Sequence, residues 1–332
     1  MKRILLLAGA FVLMLAVLSE GVSADTAILP AHDLVRQQAI LGWRDGEELL
    51  ILTSSYWRSY GVRGVVLLPL PSIPSYYGLG STIVFSRMYR LAENVGIFDQ
   101  ESYPMILGLE GGAVFIEEVV LGPHHIGVYE VEDPQEFAGW IREFLAQRNE
   151  STRLLNEKAV AEVVGNYTRR GYRYLLIDWI ESTARGVTIE PLVLRFESPH
   201  IYYPLRISQL DRGATDALIY VVTPKPIDMA SVYERLEIVG VAGVSRSDVR
   251  SVCVRLAEFF RSDSLYLTVL RFYGSLEELD GDLEARLSAT DYVMALRRAI
   301  YGILIGAPAA VLAVLGAILA VDRYRSQTQL QG

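Results

Sequence analysis

The chain has 332 residues and a net charge of -8, with one cysteine, 21% charged residues and 10% aromatic residues. An acidic surface cannot replace the counterions of a nucleic acid, so no nucleic-acid partner is expected. The lone Cys253 excludes an intramolecular disulfide and a thiolate zinc cluster. The composition excludes a disordered chain, and about 274 residues between the two apolar ends suffice for a hydrophobic core.

At the amino end, Lys2-Arg3 precedes an apolar run from Ile4 to Leu18, and Val22-Ser23-Ala24 supplies the small residues a signal peptidase accepts. This predicts a signal peptide over 1–24, cleaved between Ala24 and Asp25. An uncleaved signal anchor is the alternative, although the run is shorter than the ~20 apolar residues that span a bilayer. No cysteine lies near the site, so a lipid-modified amino terminus is excluded.

Strand signals follow. Val35 to Trp43 and Glu48 to Tyr56 flank Arg44-Asp45-Gly46, a hairpin pattern in which Asp-Gly supplies positive-φ positions. Gly64 to Leu68 predicts a buried strand, ended by Pro69-Leu70-Pro71-Ser72-Ile73-Pro74. That run reads as a rigid strand exit in preference to a ligand for an aromatic groove. Tyr76 to Gly80 reads as a loop and Ser81 to Leu91 as a short helix. Ala113 to Leu121 and His125 to Val131 read as strands around Gly122-Pro123.

The sharpest local signal is Asp133 as a helix cap, with Pro134 at the first helical position and Glu136 in the first turn. Phe137, Trp140, Ile141, Phe144 and Leu145 then make one apolar face. Val160, Val163, Val164 and Tyr167 predict a second helix ending near Gly171. Strands return at Tyr172 to Ile180, Glu190 to Phe196, Ile201 to Ile207 and Ala217 to Thr223. Ser245 with Asp248 caps a third helix carrying Val249, Val252, Cys253, Leu256, Phe259 and Phe260 on one side. Leu265 to Phe272 is a last strand, and Ser275 to Ala289 predicts a helix leading to the carboxyl end. Grouped strands and helices without regular alternation predict an α+β fold with a mostly antiparallel sheet over 25–298, as one extended domain or two subdomains divided near 132.

Ala299 to Val321 carries no charge and has no polar face. It is long enough at 1.5 Å per residue to cross a bilayer core of ~30 Å, which predicts a transmembrane helix. With the signal peptide setting orientation, 322–332 is a short cytoplasmic tail and the main domain is extracellular, on a single-pass protein of the cytoplasmic membrane. Gly302, Gly306 and Ala310 recur every fourth residue, as a transmembrane helix contact does. An Ala/Gly-rich span also produces that spacing by composition.

Several segments together resemble a known family. They are Gln38-Ala39-Ile40, Asp45-Gly46 with Glu48, Leu68 to Pro74, Gly122-Pro123 before His125 to Tyr129, Trp140-Ile141, Tyr167 to Tyr172, Pro191-Leu192 and Ile201 to Arg206. The chain resembles the exported-protein family called domain of unknown function 2330 over about residues 33–210. The resemblance implies secretion or membrane attachment and supplies no catalytic residues. Cysteines that some members carry near the mature amino terminus are absent here.

No chemical motif emerges. His124 and His125 point to opposite faces of a strand and cannot chelate together, and His32 and His200 stand alone, so no metal site is expected. Glu277, Glu278, Asp280, Asp282 and Glu284 lack the ligand order of a calcium loop and read as a solvated helical turn. There is no Gly-x-Ser-x-Gly elbow, Cys253 reads as core packing, and Gly111-Gly112 lacks phosphate-binding spacing. Catalytic, cofactor-binding and metal residues are therefore none, and no cofactor is expected. Sequons stand at Asn149 and Asn166, of which Asn149, at a helix end, is the possible glycosylation site. These readings point to a binding or assembly component of the cell envelope, with the membrane, other envelope proteins or a second copy as partners. The alternative is an envelope hydrolase whose acid and base carboxylates meet only in the fold.

Overall fold

The computed structural model describes residues 27–29, 34–56, 62–98, 114–115, 119–150, 152–153, 155–182, 189–211 and 213–294. The signal peptide with Ala24 and Asp25 lies outside the described residues, as does the apolar run 299–321 with Gly302, Gly306 and Ala310. Among the described residues no helix is long and apolar enough to cross a membrane.

In chain order the strands begin with β1 (Ala27–Leu29), β2 (Leu34–Arg44), β3 (Glu47–Tyr56), β4 (Val62–Leu70) and β5 (Tyr76–Leu79). Helix α1 (Ile83–Asn94) follows, then β6 (Val114–Phe115), β7 (Val119–Leu121) and β8 (His124–Glu130). Helices α2 (Pro134–Gln147) and α3 (Glu157–Arg169) precede β9 (Tyr174–Ser182), β10 (Leu192–Glu197), β11 (Ile201–Tyr203) and β12 (Ala214–Thr223). The chain continues with β13 (Glu237–Ser245), α4 (Arg246–Val252), α5 (Val254–Phe259), β14 (Ser264–Ser275) and β15 (Leu283–Ala285).

Two large sheets result. One runs β1-β4-β9-β8-β7-β6, the other β13-β14-β12-β2-β3-β10-β5, and β11 pairs with β15 in a small third sheet. Each large sheet draws strands from both sides of residue 132. Among the described residues every ladder is antiparallel except β2 with β12, so the α+β, mostly antiparallel expectation holds. These strands belong to one compact unit ending at Ser288; a second unit, 289–332, is described only as far as residue 294.

Strand alternation explains the layering. Ala39, Leu41, Leu50, Leu52, Ile219 and Val221 turn toward the six-stranded sheet and share its core. Their neighbours Ile40, Leu49, Ile51, Leu218, Tyr220 and Val222 turn the other way and pack under α1, α4 and α5. Because both faces of the central strands are covered, they read as near-continuous apolar runs. Helices α2 and α3 bury Phe137, Ile141, Leu145, Val160 and Val164 against the first core, each side chain contributing ~1.5–3 kcal/mol.

Local signals fold as read. Asp45 and Gly46 both have positive φ, 49° and 82°, and close the β2–β3 hairpin. Asp133 caps α2 by accepting from the N–H groups of Gln135 and Glu136, and Ser245 with Asp248 forms a complete capping box on α4.

Other expectations are corrected. The predicted loop at Tyr76–Gly80 is an edge strand to Leu79, paired with β10. The predicted strand Ala113–Leu121 is two short strands, β6 and β7, that pair with each other. Strand Ile201–Ile207 stops at Tyr203 and becomes a 3-10 turn over Arg206–Leu210. Strand β13 is mostly exposed or half-buried, with only Ala242 and Val244 buried, so its sequence carries little strand signal.

The helix on the Val249–Phe260 stripe is broken at Cys253, whose backbone is extended (φ -149°, ψ 115°). The break lets Val249 and Val252 bury from one helix and Leu256 and Phe259 from the next. Cys253 is thereby half-buried at the junction, packed against the core edge instead of inside it. The predicted helix Ser275–Ala289 is overturned most completely. Leu276 and Leu279 bury on a 3-10 turn, then Leu283 and Ala285 bury at strand spacing in β15.

Candidate functional site

The outer face of the seven-stranded sheet carries a row of directly opposed residues: Gly42 on β2, Leu49 on β3, Arg195 on β10 and Tyr76 on β5. The next row on the same face holds Arg44, Glu47 and Glu197. Helix α5 crosses this face at Gly42, where a Cβ would lie 2.7 Å from Leu256 Cδ1 and 3.2 Å from Phe259 Cδ1. Glycine is what permits this close approach. Between the helix and the sheet edge a cleft of about 250 Å³ remains, lined by Arg44, Leu49, Tyr76, Arg195, Arg255, Glu258 and Phe259.

Rings and guanidinium groups alternate around it. Arg44 Cζ stands 4.9 Å from the Phe259 ring centre, Arg195 Cζ 5.7 Å from the same ring, and Arg255 Cζ 4.8 Å from the Tyr76 ring. Arg195 grips Glu47 with two bonds, Nε at 2.9 Å and Nη2 at 2.6 Å, and Arg44 Nη2 lies 3.8 Å from the same carboxylate. Glu258 faces Arg250 at 3.4 Å. Among the described residues Arg255 has no carboxylate partner, and the buried Arg44 Nε has no hydrogen-bond acceptor. The lining offers guanidinium groups and ring faces as contact surfaces.

A second polar centre lies where the predicted acidic turn was expected to meet solvent. Asp282 is buried, and its Oδ1 accepts from the Tyr167 hydroxyl at 2.7 Å and the Arg206 N–H at 2.9 Å. Its Oδ2 accepts from Arg170 Nη1 at 2.7 Å. Glu284 accepts from Arg170 Nη2 and from the Tyr172 hydroxyl, the latter at 2.8 Å. His200 Nε2 lies 3.0 Å from that hydroxyl, and Tyr172 stacks on Tyr202 with centroids 4.7 Å apart.

Burial, then Asp282, pushes the Tyr167 phenol well up, and burial with Glu284 pushes Tyr172 up. Burial opposes the Arg170 charge, yet Asp282 and Glu284 outweigh it and raise its pKa. Burial lowers His200. These groups are locked as a structural tie on β15. Within the rest of the former acidic cluster, Asp280 accepts from Tyr233 at 2.6 Å, which lowers it, while burial and that bond push Tyr233 up to about 12. Glu278 pairs with Arg235. Among the described residues no group of three His, Cys, Asp or Glu is placed to hold a metal.

Further ionisable groups are interior, His124 and Glu48 among them. His124 sits between the large sheets, its Nδ1 2.5 Å from Asp178 and its Nε2 2.7 Å from the Glu190 carbonyl. Burial opposes its charge, but Asp178 more than compensates and raises its pKa. Glu48 is fully buried, accepts from the Tyr202 N–H at 2.8 Å, and is raised well above the carboxylate range by desolvation.

His125 is exposed, on the opposite face from His124 as read; His32 lies outside the described residues. Asn149 is exposed just beyond α2 with φ 59°, whereas Asn166 is half-buried and accepts from Arg170. The arginine cleft was missed because its residues come from four separated segments. Its one sequence trace is a charged Arg195 in the apolar run Leu192 to Phe196.

These features define an α+β domain of two facing sheets with an arginine-lined cleft on one outer face. The chain belongs to the family described as uncharacterised proteins conserved in bacteria, domain of unknown function 2330, whose sequence pattern matches residues 110–286, a little more than half of it. The match begins later than the segments named above and extends through β14 and β15. No curated protein matches the sequence. Among solved structures the chain is similar to baculovirus P35, with TM-score 0.43 and 8% identity over 78% of this chain and 99% of that one. It is also similar to the caspase-8/P35 complex, with TM-score 0.36 and 8% identity over 75% of this chain and 95% of that one. A likeness at that level carries no inference for this chain.

Proposed function

We propose that this protein is a membrane-anchored, extracytoplasmic binding component of the bacterial cell envelope. The observation that carries the reading is the uninterrupted apolar run Ala299–Val321, which follows a folded domain and is long enough to span a bilayer. The leader-like run Ile4–Leu18 before Val22-Ser23-Ala24 supports export. The cleft supports binding over hydrolysis: the carboxylate in its lining, Glu258, faces Arg250, the adjacent Glu47 is held by Arg195, and the other polar groups of the lining are three guanidiniums and the Tyr76 hydroxyl.

Site-specific labelling tests the placement. Tyr273 is 72% exposed and Cys253 is the only thiol, so Tyr273→Cys in a Cys253→Ala background presents a single accessible sulfur. A membrane-impermeant maleimide is expected to label this thiol in intact cells. Labelling that appears only after lysis overturns the placement.

A further inference from the structure

We propose that the cleft between α5 and the β5–β10 edge binds the oxyanion group, carboxylate or phosphate, of a small organic molecule that carries a flat apolar body. This deepens the binding reading above, on which it rests for its biological sense but not for its test.

The charge count points to an anion. Arg44, Arg195 and Arg255 face the space, and Arg44 and Arg195 share one carboxylate, Glu47. Glu258 is already opposed by Arg250. The lining itself holds three guanidiniums and one carboxylate on a chain whose net charge is -8. Guanidinium groups are the side chains best suited to grip an oxyanion, since their planar fork matches carboxylate and phosphate geometry. Arg255 has no carboxylate among the described residues, and its Cζ lies 4.8 Å from the centre of the Tyr76 ring. Arg255 is exposed, so an entering anion can reach its guanidinium.

Size and walls point to the rest of the ligand. About 250 Å³ is less than the ~300–1,000 Å³ of clefts that enclose drug-sized molecules. Leu49, Tyr76 and Phe259 supply apolar walls, so the body that enters with the anion is small and flat. The framework is fixed in advance: Phe259 is buried, Arg195 is clamped by Glu47, and Gly42 holds α5 close to the sheet.

The test uses the full chain in neutral detergent with four probes: benzoate, phenyl phosphate, inorganic phosphate and benzamide, the uncharged counterpart of benzoate. Ligand-observed saturation-transfer NMR and calorimetry would read binding. Benzoate, phenyl phosphate or both are expected to bind at least tenfold more tightly than benzamide, and the stronger of the two identifies the anion. Inorganic phosphate is expected to bind more weakly than phenyl phosphate, because it leaves the apolar walls empty. Arg255→Gln, an exposed change outside the core, is expected to weaken the preferred anion by roughly tenfold or more with an unchanged melting curve. Equal binding of benzamide, no binding by either organic anion, or full affinity in Arg255→Gln overturns the proposal. None of these outcomes bears on which side of the membrane the domain occupies.

Discussion

Asp282 accepts a hydrogen bond from the Tyr167 hydroxyl at 2.7 Å, across 115 residues of sequence, and this contact closes the last described strand onto α3. The same carboxylate takes a charge-assisted bond from Arg170 and caps the turn at Arg206. Removing it leaves a guanidinium short of one partner and a buried phenol without an acceptor. Asp282→Ala is expected to cost about 1–3 kcal/mol, the range for leaving a buried polar group without its partner, because Arg170 is partly exposed and keeps Glu284. Asp282→Asn, which keeps the shape, is expected to cost less. Urea unfolding midpoints check both, and an Asp282→Ala protein as stable as the parent would show that the tie contributes nothing.

The close approach at Gly42 gives a second expectation. A methyl group there meets the far end of Leu256, so α5 must shift or the leucine must change rotamer. Gly42→Ala is expected to lose ~1–3 kcal/mol, the ordinary cost of overpacking. Adding Leu256→Ala is expected to lose less than the two single losses combined, since each change makes room for the other. Strict additivity in thermal unfolding would contradict the geometry.

His124 joins the two large sheets through Asp178 and the Glu190 carbonyl. Its folded pKa is raised, so its contribution is complete below the unfolded value of about 6.5 and is lost as pH rises through the folded value. Melting temperature is therefore expected to fall as pH climbs above that point. His124→Asn is expected to be less stable than the parent at pH 6 and to flatten the decline. A decline of the same steepness in His124→Asn assigns it to other groups.

Burial of Glu48 predicts a slope of the same sign at lower pH. The folded protein holds a proton that the unfolded chain releases above about 4.3, so stability drops as pH rises from there toward the raised folded value. Glu48→Gln is neutral and similar in shape, and is expected to be more stable than the parent at pH 7. Calorimetry at pH 4 and pH 7 decides this: the gain should be present at the higher pH and shrink at the lower.

What the sequence made legible was local. The Asp45-Gly46 turn, the Asp133 and Ser245 caps and the apolar faces of α2 and α3 depend on neighbours within a few residues. Glu277 to Glu284 misled because carboxylates near a chain end resemble a solvated helical turn until their partners are known. Those partners, Tyr167 and Arg170, lie more than a hundred residues away. Arg195 and Glu47, 148 residues apart, illustrate the same limit in the cleft. His124 and Asp178 left only a faint trace, one acid inside the apolar run Leu175 to Ile180.

The anchor is tested most directly by fractionating cells that express either the full chain or a chain ending at Arg298. The account predicts that the full chain sediments with membranes and resists extraction by high salt and carbonate, while the shortened chain is recovered outside the cytoplasm without detergent. A full chain that stays in the detergent-free supernatant, unattached to vesicles, would contradict it.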